Sequence, residues 1–185
     1  MHVSKFKKSY ITTELSSSSF NITQLDRLFD YLGKYGGLEL DPEFQRGKVW
    51  TDEQCTKYIE GILEEKMMNK DLYFNWDFEE DGINHPTYCV DGLQRLTAAI
   101  KFNNGEIKPF GYSIHDLEGL KSMRYSFNVY VNKLKTYENV VSWYLSLNDT
   151  GIAHTKEDLD KAREVLLKEL KRKVVALESK EDNIK

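Results

Sequence analysis

Apolar residues recur at helical spacing from Ile22 through Leu25, Leu28, Phe29 and Leu32, and the pattern stops at Gly36-Gly37. That period predicts a first amphipathic helix. "LELD" at 38–41 is short enough for a strand, which Pro42 closes by removing a backbone donor. Thr51 with Gln54 three residues on reads as a capping box. The helix it opens carries Cys55, Tyr58, Ile59, Ile62 and Leu63 on one face and a solvated Glu/Lys face opposite. Leu72, Phe74, Trp76 and Phe78 alternate as in a half-buried strand. Asp81-Gly82 then supplies a turn, and "TYCV" at 87–90 returns as the hairpin partner. A helix follows at once, with Leu96, Ala99 and Ile100 as its buried stripe and a stop near Asn103-Asn104-Gly105. After a loop around Pro109, the β-branched and aromatic run "YSFNVYVNKL" at 125–134 predicts another strand. Thr136 caps a helix holding Val140, Val141, Tyr144 and Leu145, which "NDTG" at 148–151 breaks. Thr155, with Asp158 three residues later, opens a last helix through Leu159, Ala162, Leu166, Leu170 and Val174.

Residues 1–19 show no period and end in four serines, so they read as an irregular arm, and the last residues, "ESKEDNIK", are expected to fray. At 185 residues the whole chain, 1–185, is expected to form a single α/β (α+β) domain with a core over 22–162 and a C-terminal helix and tail over 163–185. The 40% hydrophobic and 30% charged composition is that of a globular domain, and no run is long enough to span a membrane. A net charge of −4 argues against coating nucleic acid through bulk charge, while leaving room for a local basic groove. The basic start, "MHVSKFKKSY", lacks the apolar core and small-residue cleavage site of a secretory signal. Cys55 and Cys89 sit inside apolar periodic segments and read as reduced core thiols of a cytoplasmic protein, without a zinc framework. Phe74, Trp76, Phe127 and Val129 read as core, and Tyr88 as either core or a stacking surface.

The segment "YCVDGLQRLTAAI" holds more polar chemistry than a turn needs. A strand delivering its end to a helix N-terminus makes an anion site, because the first-turn N–H groups lack intrahelical acceptors and the macrodipole adds positive potential. Gly92 lets a ligand approach the backbone, and Gln94 and Arg95 fall in the first turn. A cation there is out of place by a few tenths to about 1 kcal/mol, a sign that an anionic ligand or a carboxylate partner reverses. Asp91 is a candidate for that partner, for a sugar or Mg²⁺ contact, or for a helix cap. A second Gln-Arg pair, Gln45-Arg46, follows the first strand, with Trp50 near it as an aromatic partner for the guanidinium. If the two strand ends converge, Arg46 and Arg95 bracket one polyanion. In "LNDTGIAHTKEDL", Asn148 ends a helix and is a further candidate for base, sugar or metal-bound water; His154 reads as a surface or capping residue.

Together these segments resemble the family catalogued as domain of unknown function 262, the N-terminal domain of GmrSD-type modification-dependent restriction systems and of phosphorothioate-sensing defence proteins such as SspE. The matching elements are Gln45-Arg46 with Trp50, then Val90-Asp91-Gly92-Leu93-Gln94-Arg95-Leu96-Thr97, and Asn148 to Gly151 leading to Thr155, Glu157 and Leu159. Leu93 stands where the family carries the first Gln of a Gln-Gln pair, so that amide's contacts are not inherited. The resemblance implies a ParB/sulfiredoxin-like small mixed sheet flanked by helices, with nucleotide binding and nucleoside triphosphate hydrolysis that regulates DNA cleavage.

The resulting expectation is a Mg²⁺-dependent NTPase lacking a nuclease half. Arg46 and Arg95 hold phosphates, Asp91 holds the metal or the attacking water, and Gln94 orients phosphate or water. The nucleotide-binding set is Gln45, Arg46, Gly92, Gln94, Arg95 and Asn148. The expected partners are a nucleoside triphosphate, DNA and a separate nuclease or effector subunit. The alternatives are a non-catalytic nucleotide- or DNA-binding sensor, and a small metal-dependent nuclease built on Asp91 with Glu106 and Lys108, which would require those residues on adjacent strands. No P-loop, zinc-protease helix, nucleophile elbow or Cys-x-x-Cys pair is present.

Overall fold

A computed structural model describes residues 16–34, 36–76, 79–80, 83–148 and 155–182. The chain runs β1 (Ser16–Asn21), α1 (Leu25–Gly33), β2 (Leu38–Glu39), α2 (Asp52–Leu63), β3 (Asp71–Asn75), β4 (Glu79–Glu80), β5 (Ile83–Asn84), β6 (Thr87–Asp91), α3 (Leu93–Asn103), β7 (Ser126–Asn132), α4 (Tyr137–Asn148) and α5 (Lys156–Asp182). Five strands form one mixed sheet in the order β1-β7-β3-β6-β2, and β4 and β5 pair as a separate two-stranded ribbon. β1–β7 and β3–β6 are antiparallel, whereas β7–β3 and β6–β2 are parallel. This is the expected α+β class, and β3 and β6 pair as the hairpin pattern required.

Helices cover both faces of the sheet, which explains why β6 is apolar without alternation. Cys89 joins Leu72, Phe74, Phe127, Val129 and Val131 in a core closed by α1, α2 and α3. Tyr88 and Val90 point the other way, into a second core with Phe44, α4 and the start of α5. Tyr88 is therefore core. Both cysteines are buried free thiols, and burial pushes Cys89 up to about 12. Among the described residues no helix is long and apolar enough to cross a membrane.

Three boundaries differ from the sequence expectation. Ser16–Ser19 are not an irregular arm but pair with Val131 through Asn128 as an edge strand, a backbone ladder that needs no side-chain alternation. Helix α1 starts at Leu25 rather than Ile22, because the Asn21 side chain accepts from Thr23 N (3.0 Å) and Thr23 Oγ1 (2.7 Å) and holds a turn there. At the other end α5 continues to Asp182 instead of fraying at 178. The arm over 1–15, Phe78, the Asp81-Gly82 turn, Gly151 and His154 lie outside the described residues.

Thr51 caps α2 as its spacing implied: Gln54 N donates to Thr51 Oγ1 (3.3 Å) and Thr51 N to Gln54 Oε1 (2.9 Å). Thr51→Ala is expected to lower stability by about 1 kcal/mol, measured by denaturant unfolding with an unchanged m-value.

Candidate functional site

The parallel pairing of β2 with β6 directs both strand ends to the same edge of the sheet. Gln45-Arg46 and the Asp91–Arg95 turn therefore meet in one pocket of about 240 Å³, lined also by Trp50, Asn69, Leu147 and Asn148. The expected nucleotide-binding set, Gln45, Arg46, Gly92, Gln94, Arg95 and Asn148, and the expected metal residue Asp91 all border it. The convergence of the two Gln-Arg pairs follows from topology.

Helix α3 opens on this pocket with Gly92 at its N-cap, φ 109°, ψ 5°. No side chain caps the helix and no acidic residue occupies its first turn, so its positive end faces the cavity. Asp91 is not the cap. Its Oδ2 accepts from Arg95 Nη2 at 2.7 Å, and Arg95 Nε donates to the Asp71 carbonyl at 3.0 Å. That pairing fixes the guanidinium across the ends of β3 and β6, with the Arg95 side chain only 15% exposed. The carboxylate thus relieves the misplaced cation and orients it. Arg46, on the facing loop, reaches Asp158 Oδ2 of α5 at 3.6 Å.

The two glutamines secure this arrangement. Gln94 Oε1 accepts from Val49 N (3.0 Å) and Trp50 N (3.1 Å), while its Nε2 donates to Gly47 O (2.6 Å), so the whole amide ties the 47–50 loop to α3. Buried Gln45 donates from Nε2 to Cys89 O at 2.6 Å, and its own carbonyl accepts from Lys161 Nζ at 2.7 Å. Asn148 Nδ2 donates back to Tyr144 O (2.8 Å) at the end of α4. Trp50 lies against Tyr58, centroids 5.3 Å apart. Burial raises the Tyr58 hydroxyl, which stays protonated and donates to Asn69 O at 2.7 Å. Leu93 is 2% exposed and belongs to the core, so the position of the family's first Gln is apolar here.

Gln94→Ala is expected to remove about 1–3 kcal/mol of stability, because three backbone groups lose their partner. The 47–50 loop should become more susceptible to limited proteolysis at Lys48, while Gln94→Glu, which keeps the acceptor oxygen, should fall between the two.

The nuclease pattern does not assemble. Glu106 lies beyond the far end of α3, an 11-residue helix, from Asp91, a separation of roughly 16 Å along the axis. Its carboxylate accepts from Asn104 Nδ2 at 2.9 Å. Among the described residues, no group of three His, Cys, Asp or Glu side chains could hold a metal ion.

Sequence reasoning missed Asp158 as a partner of Arg46, because its signal is that of a helix cap: Thr155 N also donates to it at 3.0 Å. Asn69 joins the pocket from the loop before β3, with no motif to announce it.

The fold and this pocket define an α+β domain whose polar residues gather at a strand-to-helix turn, opposite a second arginine from a parallel neighbour. The chain matches the family model described as GmrSD restriction endonuclease, N-terminal domain, over residues 28–181. It belongs to that family. The match extends beyond the three sequence motifs through most of α5. No curated protein matches the chain significantly, nor does any solved structure.

Proposed function

We propose that this domain binds a nucleoside triphosphate in the α3 pocket, hydrolyses it with Mg²⁺, and through it controls a DNA-cleaving partner in a restriction or phage-defence system. The observation that carries this reading is the meeting of Arg46, Arg95 and an uncapped helix N-terminus in one cavity. Two guanidiniums from different elements and a row of first-turn N–H groups match a polyphosphate better than a single carboxylate ligand. Membership in a restriction-endonuclease family supplies the DNA-cleavage context.

Asp91 fits a metal role of a limited kind. Mg²⁺ characteristically takes one or two carboxylates and completes its shell with water and substrate phosphates, and Asp91 is a carboxylate that lines the pocket. When bound, the ion would neutralise charge on the phosphates. The chain's own part is positioning: Arg95 is held by Asp91 and Asp71, and Gln94 fixes the loop that follows Arg46.

The engagement of the whole Gln94 amide favours a second reading, in which the pocket senses the nucleotide without turnover. Thermal unfolding of the protein with ATP, GTP, CTP and UTP, with and without Mg²⁺, tests binding. A ligand at ~100 times its dissociation constant should contribute about 2.7 kcal/mol. Phosphate release under the same conditions separates the readings. Stabilisation with release supports the NTPase, and stabilisation without it supports the sensor. If no nucleotide shifts the transition, both are wrong.

A further inference from the structure

β6 delivers its end to the α3 pocket, and a separate chamber lies near its start, where Tyr88 stands roughly 10 Å along the strand from Asp91. It encloses about 280 Å³ between β2, the loop after it, β6, the first residue of α4 and the middle of α5. Its inner side is aromatic. Tyr88 and Tyr137 meet edge to face with centroids 5.6 Å apart, and buried Phe44 packs against them at 6.3 and 5.9 Å. His85 closes the chamber beside Tyr88, with Nδ1 3.4 Å from Tyr88 Oη. The remaining wall is acidic: Glu39, Glu43 and Glu169 line it, against the single guanidinium of Arg172. Burial first, then Tyr88, Glu43, Glu39 and Glu169, push the Tyr137 hydroxyl above its ordinary range, so it stays protonated in a negative field.

The fold does not ask for these carboxylates. Glu39 is the register partner of Tyr88, so the two project from one face of the sheet, yet the Glu39 side chain makes no hydrogen bond or ion pair among the described residues. Glu43 approaches Lys168 at 3.8 Å, with both side chains mostly exposed. Glu169 stands in the row of α5 that turns Ala162, Val165 and Leu166 toward α4, where packing alone calls for an apolar residue. Its side chain is only 19% exposed, and its ion pair is with Arg172 Nε, 3.2 Å away on the same helix. Nor do the three serve as caps for α4, whose first turn is met by Thr136: Asn139 N donates to Thr136 Oγ1 at 3.3 Å. The β2 side of the chamber is therefore left with excess negative charge over an aromatic surface.

We infer that this chamber binds an organic cation, and that the group it fits best is a guanidinium. The site stands apart from the nucleotide reading and does not depend on it. A guanidinium is planar, stacks on aromatic rings and donates to carboxylates in a fixed fork. Here it lies against Tyr137, with Glu39 and Glu43 receiving its N–H groups and the tyrosine hydroxyl oxygens accepting those that remain. A metal ion is the poorer match, because among the described residues no group of three His, Cys, Asp or Glu side chains could hold one. The arginine side chain of a protein partner and a free guanidine such as agmatine share this chemistry.

Titration of the whole chain with N-acetyl-arginine amide, agmatine, N-acetyl-lysine amide and Mg²⁺, followed by amide ¹H–¹⁵N shifts at constant ionic strength, tests this. The two guanidines should saturate the shifts of Glu39, Tyr88 and Tyr137 and bind ~3-fold or more tightly than the lysine amide. Glu39→Gln and Glu43→Gln alter side chains outside both cores, and each should weaken guanidine binding by about 2–5-fold while leaving the melting temperature unchanged. Tighter binding of the arginine amide marks a partner's side chain as the occupant, and tighter binding of agmatine marks a free guanidine. Equal affinity for the arginine and lysine amides, or tighter binding of Mg²⁺ at the same residues, would overturn the guanidinium assignment. Guanidine binding that both variants leave unchanged, or shifts confined to other parts of the chain, would remove the site altogether.

Discussion

Arg95→Ala is expected to weaken triphosphate binding by ~30-fold or more, the range for truncating one member of a desolvated charge pair. The size of the effect follows from how the pocket is balanced. Arg46 faces Asp158 and Arg95 faces Asp91, so the two cations and two carboxylates offset one another. The positive end of α3 then tips the cavity toward anions. Removing Arg95 leaves the Asp91 carboxylate beside the incoming phosphates and turns a favourable field into a repulsive one. It also strips the donor from the Asp71 carbonyl, which should cost about 1–3 kcal/mol of stability, so folding is checked by circular dichroism before titration. Arg95→Lys should recover part of the affinity, since it restores the charge without the fork that spans Asp71 and Asp91. Asp91→Asn should instead leave metal-free phosphate binding intact or tighter and reduce its dependence on Mg²⁺. If Arg95→Ala binds nucleotide as the parent does, the α3 pocket is not the phosphate site.

The sequence made the turn readable because each of its parts answers to local physics. Gly92 announces a positive φ, Thr51 and Gln54 announce a helix start, and Phe127, Val129 and Val131 announce a strand by their alternation. The meeting of the two Gln-Arg pairs was legible only as a condition, since parallel pairing of β2 with β6 joins residues far apart in the chain. Gln94 illustrates the limit. Its residue type suits a ligand or a backbone equally, and only the path of the 47–50 loop decides that its amide holds the loop. Ser16–Ser19 illustrate another. An edge strand exposed to water gains from its ladder rather than from buried side chains, so four serines carry no period to detect. Asp158 shows a third, because one carboxylate both accepts from Thr155 N at the start of α5 and pairs with Arg46, and the capping role accounts fully for its presence in the sequence.

The second large effect concerns the turn itself. Gly92→Ala is expected to destabilise the fold by about 2–5 kcal/mol, combining the penalty of a left-handed backbone with that of overpacking. At φ 109° an L-residue is strained, and a Cβ there would come within 2.5 Å of Leu72 Cδ2 and 3.3 Å of the Asp71 carbonyl. Leu72 is fully buried under α1–α3, so it has nowhere to move without disturbing the core. For a chain of this length each kcal/mol lowers the melting temperature by roughly 2–4 °C, giving a drop on the order of 5–20 °C. Gly105 provides the comparison, with φ 72° and nothing within 4 Å of an added Cβ. Gly105→Ala therefore carries the backbone penalty alone, about 1–2 kcal/mol. The difference between the two variants measures how tightly the end of β6 is pressed against β3. The contact bears on the site as well, because Asp71 O, which a Cβ at 92 would crowd, is the acceptor that holds Arg95. A surviving Gly92→Ala protein should consequently lose triphosphate affinity together with stability, whereas Gly105→Ala should lose stability only. Equal losses of stability in the two would show that Leu72 yields, and that Gly92 is required for its backbone conformation alone.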